Sequence, residues 1–156
     1  MEIRKLCIQE LTDQQFAQIV TIEETCGLEP YSREMLLDCI ENLDTYACMD
    51  HGIIAGFITI LPALRGNSGG LYIVNLNVAR AYRRRGIGQL LIRTACRNYA
   101  QSHQGRYVVL DVARDNTAAW HLYRKLGFFL TDIPSRNGDT DAVMAIPLDE
   151  LLREPT

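Results

Sequence analysis

The chain has 156 residues, of which 47% are hydrophobic and 22% are charged, and its formal net charge is −3. This balance is ordinary for a globular domain, and a chain of this length can bury a core without disulfides or a metal. The negative net charge excludes a general electrostatic attraction to nucleic acid or to an acidic membrane surface. We therefore expect one domain over residues 1–150, a short tail over residues 151–156, and no nucleic-acid or membrane partner.

The five cysteines are widely spaced and show no CxxC motif and no Cys/His ligand pattern, so the sequence predicts no metal site. The first residues do not resemble a secretory signal. No apolar run approaches the ~20 residues that a membrane-spanning helix needs. These features predict a reducing, cytoplasmic environment.

Apolar periodicity and capping residues define the predicted elements. Thr12 followed by Gln15 predicts a capping box at the first helix, and Ser32 predicts the start of the second. Gly27 and Gly127 stand where glycine commonly ends helices. In chain order we predict a strand (1–6), two helices (12–27 and 32–40), a hairpin (46–49 and 53–61), a loop (65–70), a strand (71–78), a helix (87–102), a strand (108–112), a helix (117–126), a closing hairpin (128–133 and 142–147) and a tail without an element (148–156).

The middle of this order is a strand, a helix and a strand over residues 71–112, which predicts a parallel crossover unit. The hairpins before and after it imply a mixed sheet rather than a doubly wound one. The predicted fold class is α/β with a mixed α+β sheet, in the order β-α-α-β-β-β-α-β-α-β-β.

The segment Arg83-Arg-Arg-Gly-Ile-Gly88 joins a predicted strand to a predicted helix. The first turn of a helix presents unpaired backbone N–H groups at a positive dipole end, and glycine lets a phosphate approach them. With Arg80, the arginines predict a site for a compact polyanion such as a pyrophosphate. The residues alone also allow a solvated charge run or a nucleic-acid patch. A kinase-type P-loop is excluded because no Gly-Lys-Ser/Thr follows, and Ala81 and Tyr82 replace the first glycine of a dinucleotide fingerprint.

This segment resembles the Gln/Arg-x-x-Gly-x-Gly/Ala signature of the GNAT N-acetyltransferase superfamily, and Asn75-Leu-Asn-Val78 resembles the central strand of that family. The resemblance implies the acyl-CoA N-acyltransferase fold, with acetyl-CoA as co-substrate and its pyrophosphate on the loop amides. It also implies that the strand backbone at Leu76 and Val78 meets the acetyl carbonyl and the pantetheine arm. The implied cofactor-binding residues are Leu76, Asn77, Val78, Arg83, Arg84, Arg85, Gly86, Ile87, Gly88, Gln89 and Asn116.

A second segment, Asn116-Thr-Ala-Ala-Trp-His-Leu-Tyr-Arg-Lys-Leu-Gly-Phe128, is similar to the other hallmark of the superfamily. Helix capping by Asn116 and helix termination by Gly127 explain part of this pattern without any function. By its match to the tyrosine of the family, Tyr123 is predicted to be the general acid that protonates the departing thiolate. The alternative is a tyrosine that only packs in the core.

Within the superfamily, the chain most resembles the bacterial ribosomal-protein N-terminal alanine acetyltransferases. The resemblance rests on three short segments: Pro30-Tyr-Ser32, Leu110-Asp-Val112 and Asp141-Ala-Val-Met-Ala-Ile-Pro147. These segments extend the likeness to the second helix, the strand after the crossover and the closing strand.

Asp111 matches the glutamate that acts as the base in those enzymes, although aspartate is one methylene shorter. The alternative is an aspartate at the edge of a strand that pairs with Arg114 or with another arginine. Glu23 and Glu24, on the first predicted helix, are reserve candidates for the base. The oxyanion is expected to meet a backbone N–H near Leu76.

The resemblance implies transfer of an acetyl group from acetyl-CoA to a primary amine, by direct attack in a ternary complex. The acceptor is expected to be a protein N-terminal amine or a small-molecule amine. The polar loop over residues 134–141 is predicted to line its site, with Asp139 and Asp141 suited to a cationic acceptor. A function of another class is a module that binds acyl-CoA and senses it without turnover. The chain is expected to be a monomer or a homodimer.

Overall fold

The computed structural model describes residues 1–27, 29–62, 70–102 and 106–153. Of the predicted loop at residues 65–70, only Gly70 lies within these ranges. The elements in chain order are β1 (Glu2–Lys5), α1 (Asp13–Cys26), α2 (Arg33–Asn42), β2 (Asp44–Asp50), β3 (Ile53–Pro62), β4 (Leu71–Val78), α3 (Ile87–Ser102), β5 (Tyr107–Ala113), α4 (Thr117–Leu126), β6 (Phe129–Leu130), β7 (Asp141–Pro147) and α5 (Leu148–Leu152). The strands form a seven-stranded sheet in the order β1-β2-β3-β4-β5-β7-β6, with parallel and antiparallel pairs. This confirms the predicted α/β fold with a mixed sheet.

The helices begin and end where local side-chain chemistry favours it. Thr12 Oγ1 accepts from Gln15 N and Gln15 Oε1 accepts from Thr12 N, so the predicted capping box is formed. Ser32 caps α2 and Asn116 caps α4. Gly127 ends α4 at a φ of 104°, in the left-handed region that favours glycine. The predicted bounds of α3 and α4 are confirmed.

One compact unit, called the first unit below, comprises Met1–Leu61 and Val74–Ala95. In it β2 pairs antiparallel with both β1 and β3. The apolar faces of α1 and α2 pack on this part of the sheet because their aliphatic residues recur at helical spacing. The buried residues of its core are Leu6, Ile19, Val20, Ile22, Leu36, Ile40, Ala47, Met49, Ile54 and Phe57.

Gly56 of β3 stands where the backbone of β4 comes close. A Cβ added there would lie 2.9 Å from the carbonyl oxygen of Asn77 and 3.2 Å from the Cα of Val78. These neighbours are backbone atoms, which cannot rotate away as the end of a side chain could. The residue at position 56 therefore controls how closely β4 approaches β3.

The other compact unit, called the second unit below, comprises Pro62–Ile73 and Cys96–Thr156. The beginning of β4 pairs in parallel with β5, and Tyr72 stands opposite Val109. In this unit β7 lies between β5 and β6 and is antiparallel to both. Burial alternates along β5, so Asp111 points to the opposite face from its buried neighbours.

The closing hairpin is shorter than predicted. The strand expected over residues 128–133 is limited to the two residues of β6. Thr131 follows β6 and is still bonded to β7, because its N and its Oγ1 both donate to the carbonyl oxygen of Val143, at 3.0 and 2.9 Å. The same Oγ1 accepts from Ile133 N at 3.2 Å, which turns the chain away from β7.

Residues 148–152 were predicted to lack an element, and this prediction is wrong. They form the short helix α5, in which Leu148 and Leu151 are buried. Their spacing of three residues places both on one side of a helix, so burial of that side stabilises a turn that is too short to form alone.

Within residues 1–27, 29–62, 70–102 and 106–153, no helix is both long enough and apolar enough to cross a membrane. All five cysteines lie in these ranges and all are thiols. Burial raises the pKa of the Cys96 thiol to about 12. Cys96 therefore stays protonated and packs as a small apolar side chain.

Candidate active site

Residues 79–86, called the arginine loop below, join β4 to α3 through two left-handed backbone positions. Arg83 is extended, with φ −68° and ψ 158°, whereas Arg84 has a φ of 65° and Gly86 a φ of 77°. The first hydrogen bond of α3 runs from Leu90 N to Gly86 O at 3.0 Å. The N–H groups of the turn between them have no partner within the helix. A Cβ added at Gly86 would meet no heavy atom within 4 Å, so the space at this helix start is open.

The arginines of this loop carry the positive charge that the sequence predicts. Arg83 Nε donates to the carbonyl oxygen of Val78 at 3.3 Å, and Arg83 Nη2 donates to Cys26 Sγ at 3.2 Å. The guanidinium carbon of Arg85 lies 5.2 Å from the ring centroid of Tyr82. Exposure of the predicted residues falls towards the helix: Arg83, Arg84, Arg85 and Gly86 are exposed, Gly88 and Gln89 are half-buried, and Ile87 is buried.

Tyr82 ties the arginine loop to the turn between β2 and β3. Its hydroxyl donates to Asp50 Oδ2 at 2.8 Å, and His51 Nδ1 lies 2.9 Å from Asp50 Oδ1. The Tyr82 hydroxyl, followed by His51, lowers the pKa of Asp50, while Asp50 raises the pKa of Tyr82. The loop is thus anchored by a neutral phenol on an ionised carboxylate. Sequence reasoning missed this contact because it joins residues 32 positions apart.

The predicted residues Leu76, Asn77 and Val78 are half-buried at the end of β4. Asn77 Nδ2 donates to Glu23 Oε1 at 2.8 Å. Glu23 is only 3% exposed, whereas Glu24 lies on the exposed side of α1. Of the two reserve candidates for the base, the structure therefore brings only Glu23 to the strand that carries predicted site residues.

Tyr123 is 8% exposed on α4, and burial raises the pKa of its phenol to about 12. Its ring lies 5.6 Å from that of Phe128 at an angle of 58°. Among the residues that the structure describes, its hydroxyl has no hydrogen-bond partner, yet no buried polar side-chain atom lacks one. The side chain is therefore buried as a whole, and its hydroxyl keeps a small accessible area. Packing explains the ring but leaves the hydroxyl available.

Asp111 of β5 accepts a hydrogen bond from the hydroxyl of Tyr72, 2.8 Å from Asp111 Oδ2. The two side chains share one face because Tyr72 stands opposite Val109, two residues before Asp111. Arg114 Nε donates instead to the carbonyl oxygen of Asp139 at 2.9 Å. The alternative in which Asp111 pairs with Arg114 is therefore wrong. Sequence reasoning also missed Tyr72, whose role depends on strand register.

Asn116 is exposed at the start of α4, and its Oδ1 accepts from Ala119 N at 3.2 Å. The predicted cap is thus confirmed, and it uses the amide oxygen of Asn116 rather than the amide nitrogen. Trp120 Nε1 donates to the carbonyl oxygen of Ala113 at 3.0 Å, which fixes α4 to the end of β5. Asp111, Asn116 and Tyr123 belong to the second unit, whereas the predicted residues 76–78 and 83–89 belong to the first.

The polar loop after β6 lines a cavity of about 310 Å³ in the second unit. Asn137 Nδ2 donates to Asp141 Oδ2 at 2.9 Å, and the backbone of Asp139 is held by Arg114. These contacts fix the shape of the loop that the sequence predicts to be an acceptor site. The walls combine aliphatic and charged side chains: Leu130, Ile133, Val143, Arg114, Asp132, Asp139 and Asp141.

A family model described as the acetyltransferase (GNAT) family matches residues 14–128, which is most of the chain. The chain belongs to the GNAT acetyltransferase family. The matched region contains β4, the arginine loop and Tyr123, so the predicted family is confirmed on the residues that suggested it. The matched region also contains β4, α3 and β5, in which the parallel crossover was predicted.

Curated relatives of this GNAT chain act on different acceptors, as their names state. It is 26% identical over 136 residues to the catalytic subunit of the N-terminal acetyltransferase A complex of Arabidopsis thaliana, which covers 86% of this chain and 69% of that protein. It is 42% identical over 67 residues to the mycothiol acetyltransferase of Corynebacterium diphtheriae, covering 43% of this chain. The chain thus spans only 21% of the length of that relative.

Solved structures share the GNAT fold over nearly the whole chain. The ribosomal-protein-S18-alanine N-acetyltransferase from Escherichia coli has a TM-score of 0.73 at 21% identity, covering 94% of this chain and 93% of that one. The NatC complex bound to Gag peptide and CoA gives a TM-score of 0.76 at 26% identity, covering 94% and 99%. Arabidopsis thaliana NAA60 in complex with acetyl-CoA gives a TM-score of 0.72 at 20% identity, covering 95% and 98%.

Proposed function

We propose that this GNAT chain transfers the acetyl group of acetyl-CoA to a primary amine, by direct attack in a ternary complex. The observation that carries the proposal is the arginine loop of a GNAT chain, where left-handed positions at Arg84 and Gly86 lead into an open helix start. Backbone N–H groups at a helix N-terminus, flanked by guanidinium groups, form a site for a diphosphate. That chemistry matches the pyrophosphate of acetyl-CoA.

In this proposal, each part of the chain holds one part of the co-substrate. The backbone at Leu76 and Val78 would meet the acetyl carbonyl and the pantetheine arm, with Asn77 beside them. The amide nitrogen of Asn116 would donate to the arm, because its oxygen is already used by the α4 cap. The loop would hold the pyrophosphate through Arg83, Arg84, Arg85, Gly86, Ile87, Gly88 and Gln89. The open space at Gly86 supports this assignment.

The amine must be neutral to attack, although an alkyl ammonium has an ordinary pKa of ~10. Asp111 is the proposed base, and the hydrogen bond from Tyr72 fixes the direction of its carboxylate. The C–N bond then forms while the C–S bond breaks, and a proton leaves the amine for the carboxylate. A backbone N–H near Leu76 would donate to the oxygen that gains negative charge.

Tyr123 is the proposed proton donor to the departing sulfur. Its pKa of about 12 keeps the phenol protonated at any physiological pH. A thiol has an ordinary pKa of ~8.5, so complete transfer from this phenol costs ~5 kcal/mol. Tyr123 therefore acts mainly by a hydrogen bond that strengthens as the sulfur gains negative charge. Such a donor in a dry site stabilises the transition state without full ionisation of the phenol.

The proposed acceptor is the N-terminal amine of a protein or peptide. The names of relatives support this class, including the catalytic subunit of the N-terminal acetyltransferase A complex and an N-alpha-acetyltransferase of Sulfurisphaera tokodaii, 31% identical over 80 residues. A small-molecule amine is the second candidate, supported by the cavity of about 310 Å³ with Asp139 and Asp141 in its wall. This volume is at the lower end of the range for small-molecule pockets, ~300–1,000 Å³.

The test is a screen of acceptors with purified protein and acetyl-CoA, read out by thiol release and by mass spectrometry of the product. Peptides with free N-termini are compared with the same peptides blocked at the N-terminus, and with small primary amines. Release above the hydrolysis background with a free amine, and not with its blocked partner, supports the proposal. Tight binding of acetyl-CoA without release on any amine would instead favour a module that senses acyl-CoA.

A further inference from the structure

Glu23 of α1 is a buried carboxylate with three hydrogen-bond donors around it. Its Oε2 accepts from the backbone N of Tyr31 at 3.0 Å. Its Oε1 accepts from Asn75 Nδ2 at 2.6 Å and from Asn77 Nδ2 at 2.8 Å. All four residues belong to the first unit. One side chain therefore joins α1, the segment before α2 and the end of β4.

The carboxylate of Glu23 has no cationic partner in the part of the chain that the structure describes. Both of its oxygens accept, Oε1 from two asparagine side chains and Oε2 from a backbone N–H. A glutamine in its place would present one oxygen and one NH₂ group, so it could not accept at both positions. The two asparagines present their nitrogen atoms to Glu23 for this reason. The carboxyl group therefore sets orientation as well as attachment.

This constraint fixes the amide of Asn77. Its Nδ2 donates to Glu23 and also to Asn75 Oδ1 at 2.9 Å, which uses both N–H groups. Asn75 Oδ1 is thereby occupied as well. Within the described ranges no donor reaches Asn77 Oδ1, and the residue is half-buried, with no enclosed polar atom left unpaired. The network thus presents one oxygen, Asn77 Oδ1, as an available acceptor.

The backbone of Asn77 is constrained by close packing against β3. Gly56 of β3 lies so close that an added Cβ would stand 2.9 Å from the carbonyl oxygen of Asn77. Along β4 the side chains of Asn75 and Asn77 point to the α1 side, while those of Leu76 and Val78 point to the other. Asn77 therefore stands between the two residues whose backbone is proposed to meet the acetyl carbonyl and the pantetheine arm.

We propose that Glu23 is a positioning residue, which fixes Asn77 so that Asn77 Oδ1 accepts a hydrogen bond from the attacking amine. The inference rests on the proposed function. It assigns a role to the amine hydrogen that is not lost in the reaction. A neutral primary amine has two N–H groups, one whose proton leaves for the base and one that remains in the product amide. The retained N–H is the donor to Asn77 Oδ1 while the C–N bond forms and the C–S bond breaks.

The need for two N–H groups on the amine predicts a preference for primary over secondary amines. A neutral secondary amine has a single N–H, and that proton must leave, so Asn77 Oδ1 would lose its partner during the reaction. Sites built to bond an N–H group discriminate strongly against analogues that lack it, because a buried polar group is left unpaired. The chain should therefore acetylate a primary amine at least ~10-fold better than its N-methyl derivative.

The test compares Glu23→Gln, Asn77→Ala and the double variant, with Glu24→Gln as the control on the exposed side of the same helix. Each single variant should lower kcat/KM for the primary amine by ~10-fold, the size of one lost hydrogen bond. In Glu23→Gln, which changes none of the residues proposed to bind the co-substrate, the KM for acetyl-CoA should stay within ~2-fold of the native value. The double variant should be no worse than either single variant, because both changes remove the same contact.

The ratio of primary to N-methyl amine distinguishes positioning from a general effect on structure. Asn77→Ala should reduce this ratio, because it slows only the substrate that retains an N–H. Asn77→Ala leaves Glu23 with two donors, so this variant remains informative if Glu23→Gln does not fold. An unchanged ratio in Asn77→Ala would overturn the inference, as would additive losses in the double variant. Loss of kcat in Glu23→Gln alone, with Asn77→Ala unaffected, would identify Glu23 as a base instead.

A second measurement separates this inference from the proposed function. The side-chain amide of Asn77 should give a distinct, slowly exchanging NMR signal in the native protein and lose it in Glu23→Gln, with Glu24→Gln unchanged. If native protein turns over primary amines but the signal or the ratio is insensitive to Glu23, the inference is wrong and the proposed function stands. If the signal responds but no amine is acetylated, the proposed function fails, and with it the role in catalysis.

Discussion

The hydroxyl of Tyr72 donates a 2.8 Å hydrogen bond to Asp111 Oδ2. If Asp111 is the base, Asp111→Asn should lower kcat by ~10²–10⁴-fold, the usual contribution of a general base. Tyr72→Phe keeps the ring and removes only the donor, so it should lower kcat by no more than ~10-fold. Steady-state rates with a saturating amine and acetyl-CoA measure both effects.

Asp111→Glu is the matched control for this prediction, because it keeps the carboxylate and has the length found in the ribosomal-protein enzymes that the sequence resembles. It should retain more activity than Asp111→Asn. Equal losses in both variants would contradict the assignment of Asp111 as the base, because a carboxylate at this position would then have no advantage over the isosteric amide.

Tyr123→Phe should lower kcat by ~10²–10⁴-fold while the affinity for acetyl-CoA stays near the native value. The reason is that the ring packs beside Phe128 and only the hydroxyl is available for chemistry. Calorimetry with CoA and thiol-release kinetics measure the two quantities separately. Full activity in this variant at every pH would remove Tyr123 from the mechanism.

The alkaline side of the pH–rate profile tests the protonation state of Tyr123. Burial raises the pKa of its phenol to about 12, so loss of its proton is moved to higher pH. Activity should rise as the amine loses its proton and should not fall near pH ~10, where an ordinary phenol ionises. A decline with a midpoint near that pH, present in native protein and absent from the residual activity of Tyr123→Phe, would contradict the assignment.

Gly86→Val should weaken CoA binding by at least ~10-fold, because the new side chain fills the open space through which a phosphate reaches the helix start. Gly52→Val is the matched control. Its φ of 82° is close to the 77° of Gly86, and an added Cβ at either position meets nothing within 4 Å. Both variants therefore carry similar backbone strain, and calorimetry should show loss of affinity only in Gly86→Val. Equal affinities would remove the loop from the site.

Gly56→Ala should lower the free energy of unfolding by ~1–3 kcal/mol, because its Cβ overlaps the backbone of β4 and the strands must move apart. The movement of β4 would also displace Asn77, so turnover should fall as well. Thermal unfolding and kcat/KM measure the two effects. Gly27→Ala is the comparison, since an added Cβ there would stand 3.3 Å from the carbonyl oxygen of Glu23, a tight contact but a longer one than at Gly56, so this variant should lose less stability. A Gly56→Ala protein with native stability would show that β4 can yield at this point.

Local chemistry predicted much of the fold. The bounds of α3 and α4 follow from helical periodicity, the Asn116 cap and the glycine stop at Gly127, all of which lie within a few residues of the helix that they define. The strand-to-helix junction at Gly86 was predicted for the same reason. The two elements that differed, β6 and α5, depend instead on a bond from Thr131 to β7 and on the burial of α5.

The contacts that organise the candidate site could not be predicted in this way. Tyr72 and Asp111 are 39 residues apart, and Glu23 and Asn77 are 54 residues apart. Each pair meets only because strand register or helix packing brings the side chains together. The sequence could name Glu23 as a reserve base, but its burial and its donors depend on those tertiary contacts.

Arg84 holds a side chain at a φ of 65°, where residues other than glycine lose ~1–2 kcal/mol. Glycine at this position would relieve the strain and remove one positive charge from the loop. Selection of a variant library for thermal stability alone should enrich glycine at position 84. Selection of the same library for acetyltransferase activity should retain arginine. The residue found at position 84 would then show whether a population had been selected for stability or for activity.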